Sequence, residues 1–328
     1  MEIDPINLRK RYEEIIKKGN EDEKNIENYI SELRKLVLLH GLPDENEEDE
    51  NNMKDGSGCT LRGLIWKIFL QVDNINAKEY ISLIEKGRCE KRLFWKIKDD
   101  TCRTFKNDEI FHKRVPEEQL VRLLNTFLNK CENQNKTSEL KLTYVQGMNL
   151  LCGALLYTMP EIDAFYAFDK LISDHCPLYA VSQIKGVYQG IYLFDQIVKI
   201  VDPELHTFFQ QTPDYNKIYF FSPIMSFSAG TPPFTELLHL WDFMFAFGVH
   251  LNVVFVVAQV ILLRDEILKS KNLNDILHTL PKLNAKLIIS ISIYLIKQLP
   301  DELYEQLVQH STTILDQQLS FSETSKEN

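Results

Sequence analysis

The amino-acid sequence predicts an all-α protein, and three observations support that prediction. Apolar residues recur at helical spacing along most of the chain, and proline or glycine stands in most of the gaps. No run alternates apolar and polar residues between hairpin turns, and only residues 217–222 (KIYFFS) look like a strand. No fixed-period repeat indicates a solenoid. The 328 residues are 44% hydrophobic, which suffices for one large core or two smaller ones.

Residues 1–43 predict two N-terminal helices. The first has Asp4 at its N-cap and Pro5 at the first helical position, and it stops at Gly19. The second stops at Gly41, and its apolar residues have the spacing of an amphipathic helix: Tyr29, Ile30, Leu33, Leu36 and Val37.

Three further segments follow these helices. Residues 44–58 are acidic, rich in Asn and Gly and without apolar periodicity, which predicts a disordered surface loop. Residues 311–328 are polar and are expected to form a frayed tail. Between them, residues 59–310 contain the helical core, with helices at about 60–71, 77–86, 117–131, 147–159, 163–175, 187–200, 234–246, 252–269, 284–298 and 301–310.

Charge and composition exclude several classes of function. A formal net charge of −10 without a basic stripe argues against a nucleic-acid partner. The most apolar run, residues 249–263, is shorter than the ~20 residues that span a membrane, so we expect a buried core helix and no membrane insertion. The N-terminus has no apolar secretory segment, and the six cysteines are scattered without a C-x-x-C pair. A cytoplasmic protein with reduced thiols and no metal site is expected.

No motif for independent bond chemistry is present. The chain lacks a phosphate-binding G-x-x-x-x-G-K-[ST] loop, a G-x-G-x-x-G turn, an H-E-x-x-H zinc motif and a G-x-S-x-G nucleophile turn. His239 and Asp242 stand three apart, which fits a metal pair or a base with its orienting carboxylate. It also fits a rim histidine beside a capping or salt-bridged aspartate, and the absence of a third ligand nearby favours this second interpretation.

The segment WKIKDDTCRTF, residues 95–105, contains a candidate functional arginine. Ile97, Asp100 and Arg103 are spaced i, i+3, i+6, so a helical turn places Asp100 beside Arg103. One interpretation is a surface ion pair, which contributes only a few tenths of a kcal/mol. The other is an arginine that its carboxylate neighbour aims toward a partner's phosphate, with Ile97 and Phe105 fixing the segment on the core.

A second candidate is the segment TYVQGMN, residues 143–149. Tyr144 and Gln146 stand just before a predicted buried helix that starts at Gly147, where backbone N–H groups are free. Gln146 could simply satisfy that helix terminus. Alternatively, its amide, which both donates and accepts, could hold a water molecule and a backbone group together.

Taken together, these motifs resemble the TBC domain, the helical module of Rab-type GTPase-activating proteins. Its I-x-x-D-x-x-R-T-F pattern is matched by Ile97, Asp100, Arg103, Thr104 and Phe105. Its Y-x-Q-G-M-N pattern is matched by Tyr144, Gln146, Gly147, Met148 and Asn149. Its R-G-x-x-W and W-D-x-x-x-x-x-G patterns are matched by Arg62, Gly63, Trp66, Trp241, Asp242 and Gly248. The four motifs occur in the family's order and cover about residues 30–310.

The resemblance implies a V-shaped, two-lobed helical array that acts on a small Ras-like or Rab-like GTPase. It implies that Arg103 is an arginine finger and Gln146 a glutamine finger, both supplied in trans. Asp100 would orient Arg103, and Tyr144 would help to hold the loop of Gln146. The framework residues around the groove would be Arg62, Trp66, Trp241 and Asp242. GTP and Mg²⁺ would belong to the partner GTPase, so no cofactor of the chain's own is expected.

Within that family the chain resembles the small fungal members of the spindle-position checkpoint. This implies a role in restraining mitotic exit at the spindle pole body, together with a scaffold subunit in a two-component activator. Two departures are visible: Lys106 replaces the proline that often follows R-T-F, and residues 131–142 look like a polar insertion. The competing hypothesis is a non-catalytic docking subunit that binds the GTPase or its regulator without accelerating hydrolysis.

Overall fold

The computed structural model describes residues 4–21, 26–212, 215–270, 272–277 and 280–315, and the all-α prediction is confirmed there. Within these ranges no strand forms, and β-pairing is limited to one isolated antiparallel bridge between Leu142 and Val181.

The described residues of the first half of the chain form ten α-helices. They are α1 Pro5–Glu21, α2 Ile26–His40, α3 Glu47–Asp55, α4 Leu61–Phe69, α5 Ala77–Glu85, α6 Lys91–Thr101, α7 Glu109–Arg114, α8 Glu117–Gln134, α9 Met148–Thr158 and α10 Glu161–Lys170. A π-helical turn at Leu171–His175 and a 3₁₀ turn at Pro177–Tyr179 follow α10.

The second half continues with helices of similar length. They are α11 Lys185–Val201, α12 Pro203–Gln211, a 3₁₀ turn Lys217–Phe220, α13 Phe221–Met225, α14 Phe234–Phe247, α15 Leu251–Leu262, α16 Arg264–Lys269, α17 Leu273–Leu277, α18 Ala285–Ile296 and α19 Asp301–Gln309.

The helices pack in two groups, which are joined by α14 and by the two turns between α10 and α11. In the first group, α8 lies against α5, α6, α9 and α10; in the second, α11 contacts α12, α13, α15 and α19. Helix α14 contacts α15 and α18 on one side and α2 and α4 on the other. This division agrees with the two-lobed array that the resemblance to the TBC domain implies.

Helix α15 contains most of the apolar run at 249–263 and is a core helix, as predicted. Its residues from Leu251 to Val260 are all buried. Among the described residues, no helix combines the length and the apolar character needed to cross a bilayer.

The acidic segment 44–58 was expected to be a disordered loop, and that expectation is wrong for its central part. Helix α3 begins with a capping box, because the Asn46 side chain accepts from the Asp49 N–H and the Asp49 carboxylate accepts from the Asn46 N–H. Asp49 is buried, accepts from the Leu61 N–H at 2.8 Å and pairs with Arg9. Specific capping and one buried ion pair therefore order a segment of unfavourable composition.

Residues 217–222, which look like a strand in the sequence, are helical, in agreement with the all-α prediction. The Asn216 side chain accepts from the Ile218 N–H at 3.0 Å and starts the 3₁₀ turn that leads into α13. Phe220 turns into the core, where its ring lies 3.9 Å from that of Phe194. A run of aromatic residues fits a buried helical turn as well as a strand.

The start of the polar tail is attached to the core rather than frayed. Ser311 donates to the His175 carbonyl at 2.8 Å, and its own carbonyl accepts from the Leu178 N–H at 3.1 Å. The Gln189 side chain donates to the Thr313 carbonyl at 3.0 Å and accepts from the Leu315 N–H at 2.8 Å. Residues 316–328 of the predicted tail lie outside the described residues.

Candidate functional site

Both predicted finger residues, Arg103 and Gln146, line one groove of about 810 Å³. Three segments form its walls: the end of α6 with the turn after it, the turn before α9, and the stretch from α13 to the start of α14. The structure therefore brings together two motifs that lie about forty residues apart in the sequence.

Arg103 lies in the turn that follows α6, and Asp100 holds it. Its guanidinium donates to one carboxylate oxygen of Asp100, as the i, i+3 spacing predicts, and 56% of the Arg103 side chain remains exposed. The hydrogen bond to Asp100 and then its charge raise the pKa of Arg103 above the usual value. Arg103 is thus a permanent, accessible cation.

The other carboxylate oxygen of Asp100 connects this turn to the glutamine motif. It accepts from the Tyr144 hydroxyl at 2.8 Å, and both side chains are buried. Burial, reinforced by the nearby Asp100 charge, raises the pKa of Tyr144 well above its usual range. Tyr144 therefore stays a hydrogen-bond donor, and Asp100 contacts residues of both motifs.

Asn149 joins the same two turns a second time. Its amide donates to the Asp100 carbonyl at 3.2 Å and to the Thr104 hydroxyl at 2.9 Å. Its amide oxygen accepts from the Gly147 N–H at 3.2 Å. One buried side chain thus fixes the position of the arginine-bearing turn relative to the glutamine-bearing turn.

Gly147 gives the glutamine-bearing turn its shape. It is the N-cap of α9 with φ of 105°, a conformation that strains any residue with a Cβ atom. Gln146, one residue earlier, is exposed, and among the described residues its side chain forms no hydrogen bond that would satisfy the helix terminus. Its amide is therefore available to a partner.

Two apolar residues anchor the arginine-bearing segment on the core. Ile97 is fully buried on α6. Phe105 adopts φ of 46°, and its ring lies 4.8 Å from that of Phe111 and 4.7 Å from that of Phe234. Gly153 on α9 admits this ring, since an added Cβ would lie 3.1 Å from it. Packing of these two residues in the core therefore fixes the position of the backbone at Arg103.

The four predicted framework residues form a separate buried cluster that does not line the groove. The Arg62 guanidinium donates to Asp242 at 3.0 Å, and the Trp66 indole donates to the same oxygen at 2.8 Å. Burial disfavours the Arg62 charge, but Asp242 outweighs it and raises the Arg62 pKa. The Trp241 indole donates to the Phe227 carbonyl at 2.9 Å, within the segment from Phe221 to Phe234 that forms a groove wall. The cluster supports the groove from behind.

The His239–Asp242 pair belongs to this cluster. The ring of His239 lies 3.6 Å from the Asp242 carboxylate and 3.5 Å from the Asp44 carboxylate. The Asp242 carboxylate already forms a salt bridge with Arg62. Within the described ranges, no group of three or more His, Cys, Asp or Glu side chains is arranged to hold a metal ion. The geometry fits the second interpretation, a histidine beside a salt-bridged aspartate.

The sequence did not indicate two parts of the groove. Lys96, on the α6 turn before Arg103, lines it. So does the wall from Phe221 to Phe234, which comes from distant sequence. The Pro232–Pro233 pair signals a turn at that wall, but no sequence pattern connects it with the other two segments.

Comparison with known proteins defines the class. Residues 59–268 match the Rab-GTPase-TBC domain, which is most of the chain, and the protein belongs to this family. It is 43% identical over 311 residues to a Dictyostelium discoideum protein named for the mitotic check point, BUB2, covering 94% of this chain and 82% of that one. It is 36% identical over 303 residues to Cell division control protein 16 of Schizosaccharomyces pombe, covering 92% and 94%.

A solved structure confirms the fold. The Ypt/Rab-GAP domain of Gyp1p superposes with a TM-score of 0.68 at 17% identity, covering 90% of this chain and 99% of that domain. At this identity the likeness establishes the TBC helical fold and nothing finer.

Proposed function

We propose that this protein is a GTPase-activating protein that supplies Arg103 and Gln146 in trans to a small Ras-like or Rab-like GTPase. One observation supports this above all. Two exposed side chains of the required chemistry face one groove, and a shared buried network through Asp100 and Asn149 holds their turns together. Membership of the Rab-GTPase-TBC family supports the same conclusion.

The proposed mechanism assigns a separate task to each finger. When water attacks the γ-phosphate of GTP, the bond to the β–γ bridging oxygen breaks and negative charge spreads over the phosphoryl oxygens. The guanidinium of Arg103 stabilises this charge, an effect that contributes about 10³ to 10⁵ in rate in other activators. The Gln146 amide accepts from and donates to the attacking water and its neighbours, and so fixes the line of attack. GTP and Mg²⁺ enter with the GTPase.

The cellular role is proposed from relatives. Two proteins that share more than a third of their residues with this chain are named for the mitotic check point and for cell division control. We propose that this chain acts likewise, restraining mitotic exit from the cytoplasm at the spindle pole body. A scaffold subunit that completes a two-component activator is part of the same proposal.

Single-turnover phosphate release tests the catalytic proposal. The substrates are purified Rab-family GTPases loaded with GTP, and the activators are wild type, Arg103→Ala and Gln146→Ala. The control is Arg92→Ala, which removes an exposed arginine from α6 outside the groove. We expect acceleration by wild type and Arg92→Ala, and a loss of about 10³-fold for Arg103→Ala with binding retained. If all four proteins bound the GTPase but none raised the rate above that of the GTPase alone, the docking-subunit hypothesis would hold instead.

A further inference from the structure

Two lysines flank Arg103 in the groove, and the fingers do not account for them. Lys96 lies two helical turns before Arg103, and Lys106 lies three residues after it. Both are exposed and line the groove. Within the described part of the chain, neither lies within 4.0 Å of a carboxylate, although the Lys96 ammonium stands 5.8 Å from the centre of the Tyr144 ring.

The carboxylates of the groove are already engaged within the protein. Asp100 binds Arg103 and Tyr144. Asp108 is the N-cap of α7 and accepts from the Phe111 N–H at 2.8 Å. The cations thus outnumber the carboxylates three to two, and both carboxylates have fixed internal partners. The rim formed by Lys96, Arg103 and Lys106, here called the cationic rim, presents positive charge outward.

Among the residues that the structure describes, those on the other walls of the groove carry no ionisable side chain. They consist of Val145, Gln146, Gly147, Asn149 and Leu150 on one side, and Phe221, Ser222, Met225, Ser226, Ala229, Gly230, Thr231, Pro232, Pro233 and Phe234 on the other. The groove is therefore electrically one-sided. A partner that fills it must present negative charge along one edge and uncharged surface along the rest.

The contrast with the whole chain strengthens this argument. The protein carries 47 acidic against 37 basic side chains, a net charge of −10, so its average field repels an acidic partner. The cationic rim reverses that sign at the groove. Local reversal of charge orients an approaching partner, because only one face of the protein attracts it.

We propose that Lys96 and Lys106 recruit and orient the GTPase through an acidic patch beside its nucleotide site. This inference rests on the proposed function, and it names a requirement on the partner: a GTPase with acidic residues next to the bound phosphates is selected over one with a neutral or basic surface there. The lysines act on encounter, and Arg103 acts on the chemical step.

Charge reversal separates these two tasks. The test variant is the double substitution Lys96→Glu with Lys106→Glu, and the matched control is Lys98→Glu. Lys98 is exposed on the same helix, and since successive helical residues are about 100° apart, it faces away from Lys96 and outside the groove. The substrate is the GTP-loaded Rab-family GTPase that wild type activates most strongly. Rates are measured at low salt and at about 0.5 M salt, where the Debye length falls to roughly 4 Å.

The expected result is a loss in kcat/KM of about tenfold or more for the double variant at low salt, with the saturated rate unchanged. The loss should shrink at high salt, and Lys98→Glu should stay within about twofold of wild type. A double variant that behaves like the control overturns the proposal, and so does a fall in the saturated rate or a loss independent of salt. Wild-type activation that is insensitive to Arg103→Ala would overturn the proposed function instead, so the two failures are distinguishable.

Discussion

At the residue scale, the site depends on side chains that never reach a partner. Asn149 uses both ends of its amide to join the two finger-bearing turns, and Asp100 uses both carboxylate oxygens. A reacting group misplaced by about 1 Å can lose about 10² in rate, so under the proposed mechanism these hydrogen bonds would affect catalysis directly. In the proposed mechanism, the exposed side chains of Arg103 and Gln146 supply the chemistry, and the buried residues determine where those side chains stand.

Replacing Asn149 by alanine should separate geometry from binding. We expect the saturated rate of GTP hydrolysis to fall about tenfold or more, because the two turns lose their common anchor, while KM changes little. The free energy of unfolding should fall by about 1–3 kcal/mol, since the Thr104 hydroxyl and the Asp100 carbonyl lose a buried partner. Single-turnover phosphate release and urea denaturation measure the two effects.

Asn107→Ala is the matched control for that variant. Asn107 also lines the groove, but it is exposed, and within the described ranges it has no side-chain hydrogen bond to lose. If both variants lowered the saturated rate equally, Asn149 would be an ordinary groove residue rather than the anchor of the two turns.

At this scale the sequence predicts the local contact between Asp100 and Arg103, but it does not predict the contacts that support this pair from distant parts of the chain. The i, i+3 spacing of Asp100 and Arg103 predicts their contact, because helix geometry alone produces it. The contacts of Asn149 and Tyr144 with Asp100 span more than forty residues of sequence, and no local pattern encodes them. The roles of Arg103 and Gln146 in catalysis remain predictions.

At the element scale, α3 shows how a few specific bonds order an acidic segment. Composition predicts disorder for residues 44–58, yet Asp49 contacts α1 through Arg9 and the first turn of α4 through the Leu61 N–H. The helix therefore connects two neighbours rather than extending into solvent. Composition describes the average tendency of a segment, whereas one buried carboxylate with three donors decides its position.

Asp49→Ala should detach α3. We expect the free energy of unfolding to fall by a few kcal/mol, because the partly buried Arg9 guanidinium and two backbone N–H groups lose their acceptor. Hydrogen exchange should speed up in α1 and α3 before the rest of the molecule. Glu48→Ala, which removes an exposed carboxylate of the same helix, should leave both measurements near wild type.

A loss of stability spread evenly over all helices would contradict this account of α3.

The predicted and observed helices differ mainly where the apolar pattern is short or irregular. The long apolar-periodic helix α8 lies where the sequence places it, and the helix predicted at 252–269 is divided into α15 and α16. Besides α3, five shorter helices in the described ranges are absent from the predicted set: α6, α7, α12, α13 and α17. Helix α6 has an irregular apolar pattern because its exposed face carries Trp95 and its buried face includes Asp100.

At the scale of the whole molecule, the second helical group is closed by the segment after α19. The ring of His310 is buried. Its Nε2 atom accepts a hydrogen bond from the Tyr179 hydroxyl at 2.9 Å, and its Nδ1–H donates to the Leu307 carbonyl at 2.6 Å. This arrangement needs the neutral imidazole, with one nitrogen accepting and the other donating. His250 is buried nearby, and its Nε2 atom has no partner within the described structure. Two buried neutral histidines make the fold sensitive to acid.

The direction of that sensitivity follows from the pKa values of the two histidines. Burial lowers the pKa of His310 to about 4. Burial, and then repulsion from the His310 ring when that ring is protonated, lowers the pKa of His250 to about 4. In the unfolded chain a histidine titrates near 6.5. Between about pH 6.5 and pH 4 the unfolded chain therefore binds more protons than the folded one. The stabilisation is complete above pH 6.5 and is lost as the pH falls through this window.

We expect the free energy of unfolding, measured by urea denaturation, to fall by up to about 1.4 kcal/mol per pH unit for each such histidine in this window. His310→Gln keeps an acceptor for Tyr179 but cannot titrate. The slope of its free energy of unfolding against pH should therefore be smaller than that of wild type, by the amount that corresponds to about one bound proton. The control is His112→Gln, which removes an exposed histidine and should leave the wild-type slope. Parallel pH profiles for wild type and His310→Gln would show that His310 does not couple folding to protonation. A shallower slope for His310→Gln alone would identify the closure of the second helical group as the acid-sensitive part of the fold.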